Sequence, residues 1–326
     1  MKSTLRIPEW DGWRGLAILL VLVGHFTFSK WVWEERMGVD VFFVLSGMLM
    51  SNILFVDRMP LKDFYIRRFS RIIPGLVVFL LGAVSVSLLV GYEFHPVEFF
   101  ASLFFVRTYF PVQPEYYSSV LPTGHLWSLS VEEHSYVILS LISLVLLAYR
   151  KIAALLLTIY ISSLIICWYY YFSVPAEQFE ATLIRTETAI GFIAFSAGYN
   201  LLRKQHDIRI GGLVPVACVV LAFLCYMRIF PIWMTFTFSP LLLGIAINHL
   251  LDSASIVRRV MSFAPLRWLG IVSYSVYLWQ QIFYKLHYVL PGGPLTGFIV
   301  SIVVGIGSYI VIEQPARRYI NNRWSK

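Results

Sequence analysis

Apolar stretches about as long as a bilayer is thick recur along nearly all of this chain, and they restrict its fold more than any single motif does. Ten can be drawn, at about 13–33, 39–57, 72–92, 126–148, 152–172, 184–202, 210–228, 232–250, 269–289 and 296–314. Roughly 20 apolar residues carry an α-helix across the hydrocarbon. In lipid each such segment must bond its own backbone internally, which leaves helices or a closed barrel. Stretches of this length without strict alternation specify helices. The expected fold is therefore all-α: a polytopic membrane helix bundle of about ten transmembrane helices in a single domain, 1–326.

Composition agrees. Of 326 residues 58% are hydrophobic and 13% charged, against about a quarter charged in soluble domains. The formal charge of +8 matters through its placement. Alternate loops hold Lys2 and Arg6; Arg58, Lys62, Arg67, Arg68 and Arg71; Arg150 and Lys151; Arg203, Lys204 and Arg209; Arg258, Arg259 and Arg267; Arg317, Arg318, Arg323 and Lys326. The opposite loops hold few, such as Lys30, Arg36 and Arg107. By the positive-inside rule both termini are cytoplasmic. The basic balance is thus a topology signal and no nucleic-acid footprint. The first apolar stretch has no small-residue cleavage site, so no cleavable signal is expected. Cys167, Cys218 and Cys225 all fall in apolar stretches, without metal-ligand spacing, and read as small hydrophobic filler. No metal site is expected.

The first span carries a pair that lipid would not tolerate. Arg14 and His25 lie eleven residues apart, three helical turns, hence within about 20° of one face and about 16 Å along the axis. That spacing puts Arg14 near one membrane surface and His25 near the midplane. Intramembrane ionisable groups are costly unless they face a cavity or a partner. The pair reads as a chemical site; a histidine satisfied by a neighbouring helix is the bland alternative.

Further polar groups sit at the ends of other spans. Asp40 opens the second span, where it either pairs with a cation, holds a histidine's tautomer or caps the helix. Ser46–Gly47 permits close helix packing. Arg67, Arg68 and Arg71 form a compact cationic surface at the cytoplasmic boundary. They suit either the phosphates of a substrate or anionic lipid. The stretch PVEFFASLFFVRTYF suggests a short interfacial helix, followed by an ordered outer loop containing Pro111, Pro114, Tyr116 and Tyr117. In the fourth span His125, Ser128 and Glu132 share a face at i, i+3 and i+7 near the outer surface. Glu133 points about 100° away and reads as a structural carboxylate. An interfacial polar belt is the alternative to a His–Glu pair that handles a hydroxyl proton. Ser273, Tyr277 and Gln280 align in the ninth span, either as cavity lining or as helix glue. Pro315, Arg317 and Arg318 end the last span.

Taken in series, D-G-W-R-G with Arg14-x10-His25, GVDVFFVLSG, RRFSRIIP, HLWSLSVEE, SYSVYLW and EQPARR resemble the integral-membrane acyltransferase family 3. Its members transfer acyl groups, often acetyl, to extracytoplasmic sugars and related acceptors. The motifs run in order from Asp11 to Arg318. The resemblance implies that Arg14 and His25 are functional, that Arg68 and Arg71 match the cytoplasmic arginine motif, and that Glu132 matches the acid after WSL. Two positions depart from the pattern. Glu132–Glu133–His134–Ser135–Tyr136 stands where EEQFY is usual, and Gln280 replaces the histidine after YLW, so no proton is exchanged there.

The expectation is a multi-pass O-acyltransferase of the bacterial inner (plasma) membrane. Acyl-CoA, in the first place acetyl-CoA, is the donor, with its phosphates on Arg67, Arg68 and Arg71. A hydroxyl of a glycan or lipid-linked saccharide is the acceptor, approaching past Asp40, His125, Ser128 and Glu132. His25 acts as general base or as transient acyl carrier, and Arg14 binds a CoA phosphate or stabilises charge. With no hydrolase-like extracytoplasmic domain in the sequence, the chain is expected to act alone or to hand its acyl group to a separate extracytoplasmic transferase partner. A transporter that uses Arg14, His25 and Glu132 as translocation residues is the competing reading.

Overall fold

The computed structural model describes residues 7–27, 31–91, 93–110 and 121–324. Lys2, Arg6, Lys30, Lys326 and the loop residues Pro111, Pro114, Tyr116 and Tyr117 lie outside them. Among the described residues there is no β-strand, only the isolated bridges Val32–Met227 and Gly212–Ser253.

The helices in chain order are α1 (Pro8–Thr27), α2 (Glu34–Ser51), α3 (Leu61–Leu89), α4 (Pro96–Leu103), α5 (Trp127–Val145), α6 (Tyr149–Ser173), α7 (Ala176–Thr182), α8 (Thr186–His206), α9 (Val214–Cys225), α10 (Ile232–Asn248), α11 (Ser255–Met261), α12 (Ala264–Leu286), α13 (Gly293–Ser308) and α14 (Gln314–Trp324). Each of the ten expected spans falls on one of them. Among the described residues four helical stretches are long and apolar enough to cross a membrane: Glu34–Val56, Leu61–Leu89, Tyr149–Ser173 and Gly293–Trp324. On α3 the residues Ile72, Leu76, Phe79, Leu80 and Ala83 are buried while Val77, Val78, Leu81, Leu88 and Leu89 are exposed. A helix apolar on both faces belongs in lipid.

Three of the boundaries that differ from expectation have a local physical reason. Helix α1 starts at Pro8, where a proline suits the first turn and the acids Glu9 and Asp11 favour the positive end of the helix dipole. Helix α3 starts at Leu61, so Arg67, Arg68 and Arg71 lie within a helix and not in a loop before it. The last helix does not stop at Pro315. A π-helical turn, Tyr309–Glu313, precedes α14, and the N–H of Gln314 reaches back five residues to the Tyr309 carbonyl. The wider turn accommodates a proline that cannot donate, and the helix continues to Trp324.

The chain divides into two compact units. The first comprises Met1–Ser51, Ala148–Tyr160 and Phe192–Ser273. Between apolar helices in lipid, close backbone approach and interhelical hydrogen bonds replace the hydrophobic drive, and this unit uses both. A Cβ on Gly12 would stand 1.7 Å from the Met261 carbonyl oxygen, one on Gly15 2.0 Å from that of Leu266, and one on Gly270 1.8 Å from that of Asp11. The two glycines of D-G-W-R-G thus let α1 lie directly on α11 and α12. Gly47 meets the Ile193 carbonyl in the same way at 2.2 Å, as the Ser46–Gly47 pair predicts. Trp13 Nε1 donates to the Val41 carbonyl at 3.1 Å, Ser196 Oγ to that of Val44 at 2.6 Å, and Asn200 Nδ2 to Ser51 Oγ at 2.6 Å.

The second unit comprises Asn52–Leu147, Ile161–Gly191 and Tyr274–Lys326. The buried face of α3 packs with Leu126 and Leu129 and with Leu278 and Ile282 of α12. Arg58 reaches across to the end of α5, donating to the carbonyls of Leu146 at 3.3 Å and Leu147 at 2.8 Å. A cation on the open carbonyls of a helix C-terminus satisfies both the hydrogen bonds and the dipole.

Candidate active site

The candidate residues divide between the units: Arg14, His25 and Asp40 belong to the first, and the arginine motif, His125, Ser128 and Glu132 to the second.

In the first unit Arg14 and His25 stand on one unbroken helix, as their spacing requires. Ile18 and Val21 lie between them on the same stripe and are fully buried, so this face is turned into protein. Both ionisable side chains are only half-buried. Arg14 approaches Asp11 at 3.9 Å. His25 occupies the last turn of α1, about 26 Å along the axis from Pro8, and so lies near one end of the helix rather than its middle. The expected midplane position assumed a helix that starts later and ends later than this one. Gly24, next to His25, admits the backbone of Glu35. A Cβ there would stand 2.3 Å from the Glu35 nitrogen and 2.5 Å from one of its carboxylate oxygens.

Asp40 is fully buried and lies well inside α2, which begins at Glu34, so it does not cap the helix. Arg36 Nε donates to its Oδ2 at 2.9 Å and the Tyr226 hydroxyl to the same oxygen at 2.8 Å. The Arg36 guanidinium covers the Phe236 ring at 4.8 Å. Of the alternatives for Asp40, pairing with a cation is the one realised. The Arg36–Asp40 spacing of i, i+4 was readable as a helix pair. Hydropathy places Arg36 in a loop, because the apolar stretch starts only after it.

In the second unit α3 and α5 run antiparallel. Tyr65 bonds Ser140 at 2.8 Å, Arg68 bonds Glu133, and Phe79 meets His125 edge-on at 5.5 Å between centroids. Arg68 Nε donates to Glu133 Oε1 at 2.7 Å, and its terminal nitrogen donates to Glu132 Oε2 at 2.9 Å. The guanidinium also lies 3.9 Å over the ring of Tyr136, a cation–π contact. This corrects the assignment of Arg68 and Glu132 to opposite membrane faces. Both lie several residues inside their helices, and antiparallel packing brings them to one level. It also corrects the reading of Arg68 as an arginine open to phosphate, since two carboxylates already face it. Glu133 is the structural carboxylate expected, with Glu132 beside it. Arg67 and Arg71 are half-buried on the same helix.

His125 lies in a 3-10 turn, Gly124–Leu126, just ahead of α5. Ser128 Oγ reaches its carbonyl at 3.2 Å. From α12 the Tyr277 hydroxyl donates to the same carbonyl at 2.8 Å and lies 2.6 Å from Ser128 Oγ. The His125 ring is held edge-on by Phe79 and by Tyr277, at 5.0 Å from the latter. Of the aligned residues in the ninth span, Tyr277 thus acts as helix glue, and it does so at a candidate site. Gln280, fully buried, donates to Gln281 at 3.2 Å. Ser275 donates to the buried Glu313 of EQPARR at 2.8 Å. Glu133 and Tyr136 as partners of Arg68, and Tyr226 as partner of Asp40, had no signal in the sequence, because each contact joins helices distant in the chain.

Comparison with known proteins agrees with the motifs. Residues 7–313 match the family described as acyltransferase domain. The peptidoglycan O-acetyltransferase OatA of Listeria monocytogenes is 32% identical over 318 residues, covering 86% of this chain and 50% of the relative. The O-acetyltransferase OatA of Staphylococcus aureus is 27% identical over 357 residues, covering 98% of this chain and 58% of the relative. The chain thus spans little more than half the length of these relatives. No solved structure matches it. With its six motifs in order and the family matched over nearly its whole length, the chain belongs to the membrane acyltransferase family 3.

Proposed function

We propose that this protein is a membrane O-acetyltransferase of the bacterial plasma membrane, with both termini cytoplasmic. It takes the acetyl group from acetyl-CoA presented on the cytoplasmic side and places it on a hydroxyl of an extracytoplasmic glycan of the peptidoglycan type. The observation that carries this reading is the Arg14–His25 stripe: two ionisable groups on one inward-turned face of a single helix, in a chain whose relatives are named O-acetyltransferases.

In the reaction, His25 takes the proton of the acceptor hydroxyl as its oxygen attacks the thioester carbonyl. The C–S bond breaks, and CoA leaves as its thiol with the proton that His25 returns. Arg14, about 16 Å along the same helix from His25, does not reach the reacting carbonyl and instead binds a CoA phosphate. Arg67 and Arg71 bind the donor's phosphates. Arg68, matched by Glu132 and Glu133, fixes α3 against α5 beside them. His125 and Ser128 meet the acceptor, while Asp40, fully buried against Arg36 and Tyr226, holds its own unit together. The acetyl group goes to the glycan directly or by way of a separate extracytoplasmic transferase.

The test is purified protein with labelled acetyl-CoA and a panel of glycan acceptors. The proposal expects label on a glycan hydroxyl. A transporter would move intact substrate across the membrane and leave the glycan unlabelled, and that result would overturn the proposal.

A further inference from the structure

Helix α2 returns antiparallel along α1 and packs on it toward the His25 end. A Cβ on Gly38 would stand 2.6 Å from the Ala17 carbonyl oxygen and 2.8 Å from the Val21 nitrogen, so the two backbones touch there. Val21 lies on the Arg14–His25 stripe. The next residues on this face of α1 are Gly24 and His25, at i+3 and i+4 from it. One turn back along α2 from Gly38 is Glu35, and it meets Gly24. A Cβ on that glycine would lie 2.8 Å from the Glu35 Cβ and 2.5 Å from its Oε2. Of the two acids that open α2, Glu35 thus brings a carboxylate oxygen to the residue beside His25.

The chain ahead of α2 is fixed from the side. Val32 and Met227 form an antiparallel bridge, in which the Trp33 amide donates to the Tyr226 carbonyl at 3.1 Å and the Arg228 amide to that of Trp31 at 2.8 Å. The Arg228 guanidinium lies 5.1 Å over the Trp33 ring and 3.9 Å from Glu35 Oε1. One carboxylate oxygen of Glu35 therefore faces a cation and the other faces α1. The charged groups that α2 and the α9–α10 turn bring to this end of α1 are Glu34, Glu35, Arg36 and Arg228. Arg36 pairs with Asp40 at 2.9 Å, which leaves Arg228 as the cation that steadies Glu35.

We propose that Glu35 is the positioning residue of His25: its carboxylate accepts the N–H of one imidazole nitrogen and leaves the other nitrogen to take the acceptor's proton. His25 is half-buried in the last turn of α1, where the helix alone does not select one rotamer of its side chain. General-base catalysis needs a single direction and a single tautomer, and a carboxylate on the far N–H supplies both. Glu35 suits the task because its own place is determined, by the glycine contact on one side and by Arg228 and Trp33 on the other. This deepens the proposed function, resting on its assignment of His25 as the base.

The experiment uses the full-length protein in nanodiscs with nitrogen-15-labelled histidine, the His25 signals being those lost in His25→Ala. Neutral His25 should show one tautomer in wild-type protein and in Glu35→Asp, and a mixture of two in Glu35→Ala. In acetyl transfer Glu35→Ala should lower kcat at least about tenfold at little changed acceptor KM. That is less than the roughly 10⁴-fold contributed by a fully buried acid behind a catalytic histidine, since Glu35 is partly open to solvent. Glu35→Asp should recover most of the rate. Arg228→Ala breaks the same ion pair but keeps the carboxylate, and should cost less than Glu35→Ala. Equal losses in these two variants would make Glu35 a structural tie and overturn the proposal. So would an unchanged His25 tautomer in Glu35→Ala. Circular dichroism reports that each variant is folded. Unchanged kcat in Glu35→Ala while His25→Ala is inactive would sink this inference and leave the proposed function standing. If wild-type protein acetylates no glycan, the proposed function falls, and the tautomer still decides whether Glu35 holds His25.

Discussion

Arg68 and Glu133 are bound to one another at 2.7 Å, joining the arginine motif of α3 to the acidic motif of α5. Glu132 completes the group at 2.9 Å, so two motifs that look independent in the sequence form one cluster. Their side chains are mostly shielded, 12% exposed for Arg68 and 8% for Glu133. Removing Arg68 leaves two shielded carboxylates without a cation, a loss on the order of 3 kcal/mol, whereas removing Glu133 leaves Arg68 paired with Glu132 and costs less. Glu133→Gln and Arg68→Gln should each lower the thermal midpoint of the detergent-solubilised protein by several degrees. The double variant should lose less than the sum of the two. Additive losses would show that the pair is not coupled.

The glycine contacts give an internal contrast. Gly15→Ala places a methyl group 2.0 Å from the Leu266 carbonyl oxygen, whereas nothing lies within 4 Å of a Cβ on Gly307. Forcing α1 away from α12 costs about 1–3 kcal/mol, while alanine at Gly307, inside the continuous helical stretch Gly293–Trp324, gains up to about 1 kcal/mol in helix propensity. Thermal unfolding of the two variants should therefore move in opposite directions.

Tyr277 holds both Ser128 and the His125 carbonyl. Tyr277→Phe keeps the ring against His125 but removes these bonds, a loss of about 1 kcal/mol. Acetyl transfer should fall through a raised acceptor KM, with acetyl-CoA affinity unchanged. Calorimetry with CoA and acceptor-saturation kinetics separate the two.

The acid limb of stability has a named source in the first unit. Burial pushes the Asp252 carboxyl up, but His249, whose Nδ1 lies 3.0 Å from Oδ2, and the Arg203 guanidinium, donating at 2.6 Å, outweigh it and hold the carboxyl below its ordinary value of 3.8. A carboxyl depressed in the folded state contributes stability that is present above the ordinary value and lost as pH falls through the folded one. Wild-type protein should lose this increment as pH drops below about 4. Asp252→Asn should be less stable near neutrality and show a flatter acid limb.

The sequence and the structure differ in instructive places. Hydropathy placed each of its ten segments on a helix, since an apolar stretch needs no partner to be recognised. It misjudged where α1, α2 and α3 begin, because their first turns carry Glu9, Glu34 and Lys62 and an apolar window starts only after such residues. The Arg14–His25 face was legible because both residues ride on one helix, where spacing alone fixes direction. The Arg68–Glu133 and Tyr226–Asp40 contacts were not legible, because they depend on which helices pack together. The glycines of D-G-W-R-G read as part of a motif, and only the approach of Met261 and Leu266 gives them a physical role.

The most direct test of the account is His25→Ala in oriented proteoliposomes, with acetyl-CoA on the arginine side and glycan acceptor confined to the other. Wild-type protein should acetylate the acceptor across the membrane. The variant should insert and bind CoA normally yet transfer at least about 10²-fold more slowly, as expected for loss of a general base. Near-normal transfer by well-inserted His25→Ala protein would contradict the central role of His25, and product formed only when both substrates share one face would contradict transfer across the membrane.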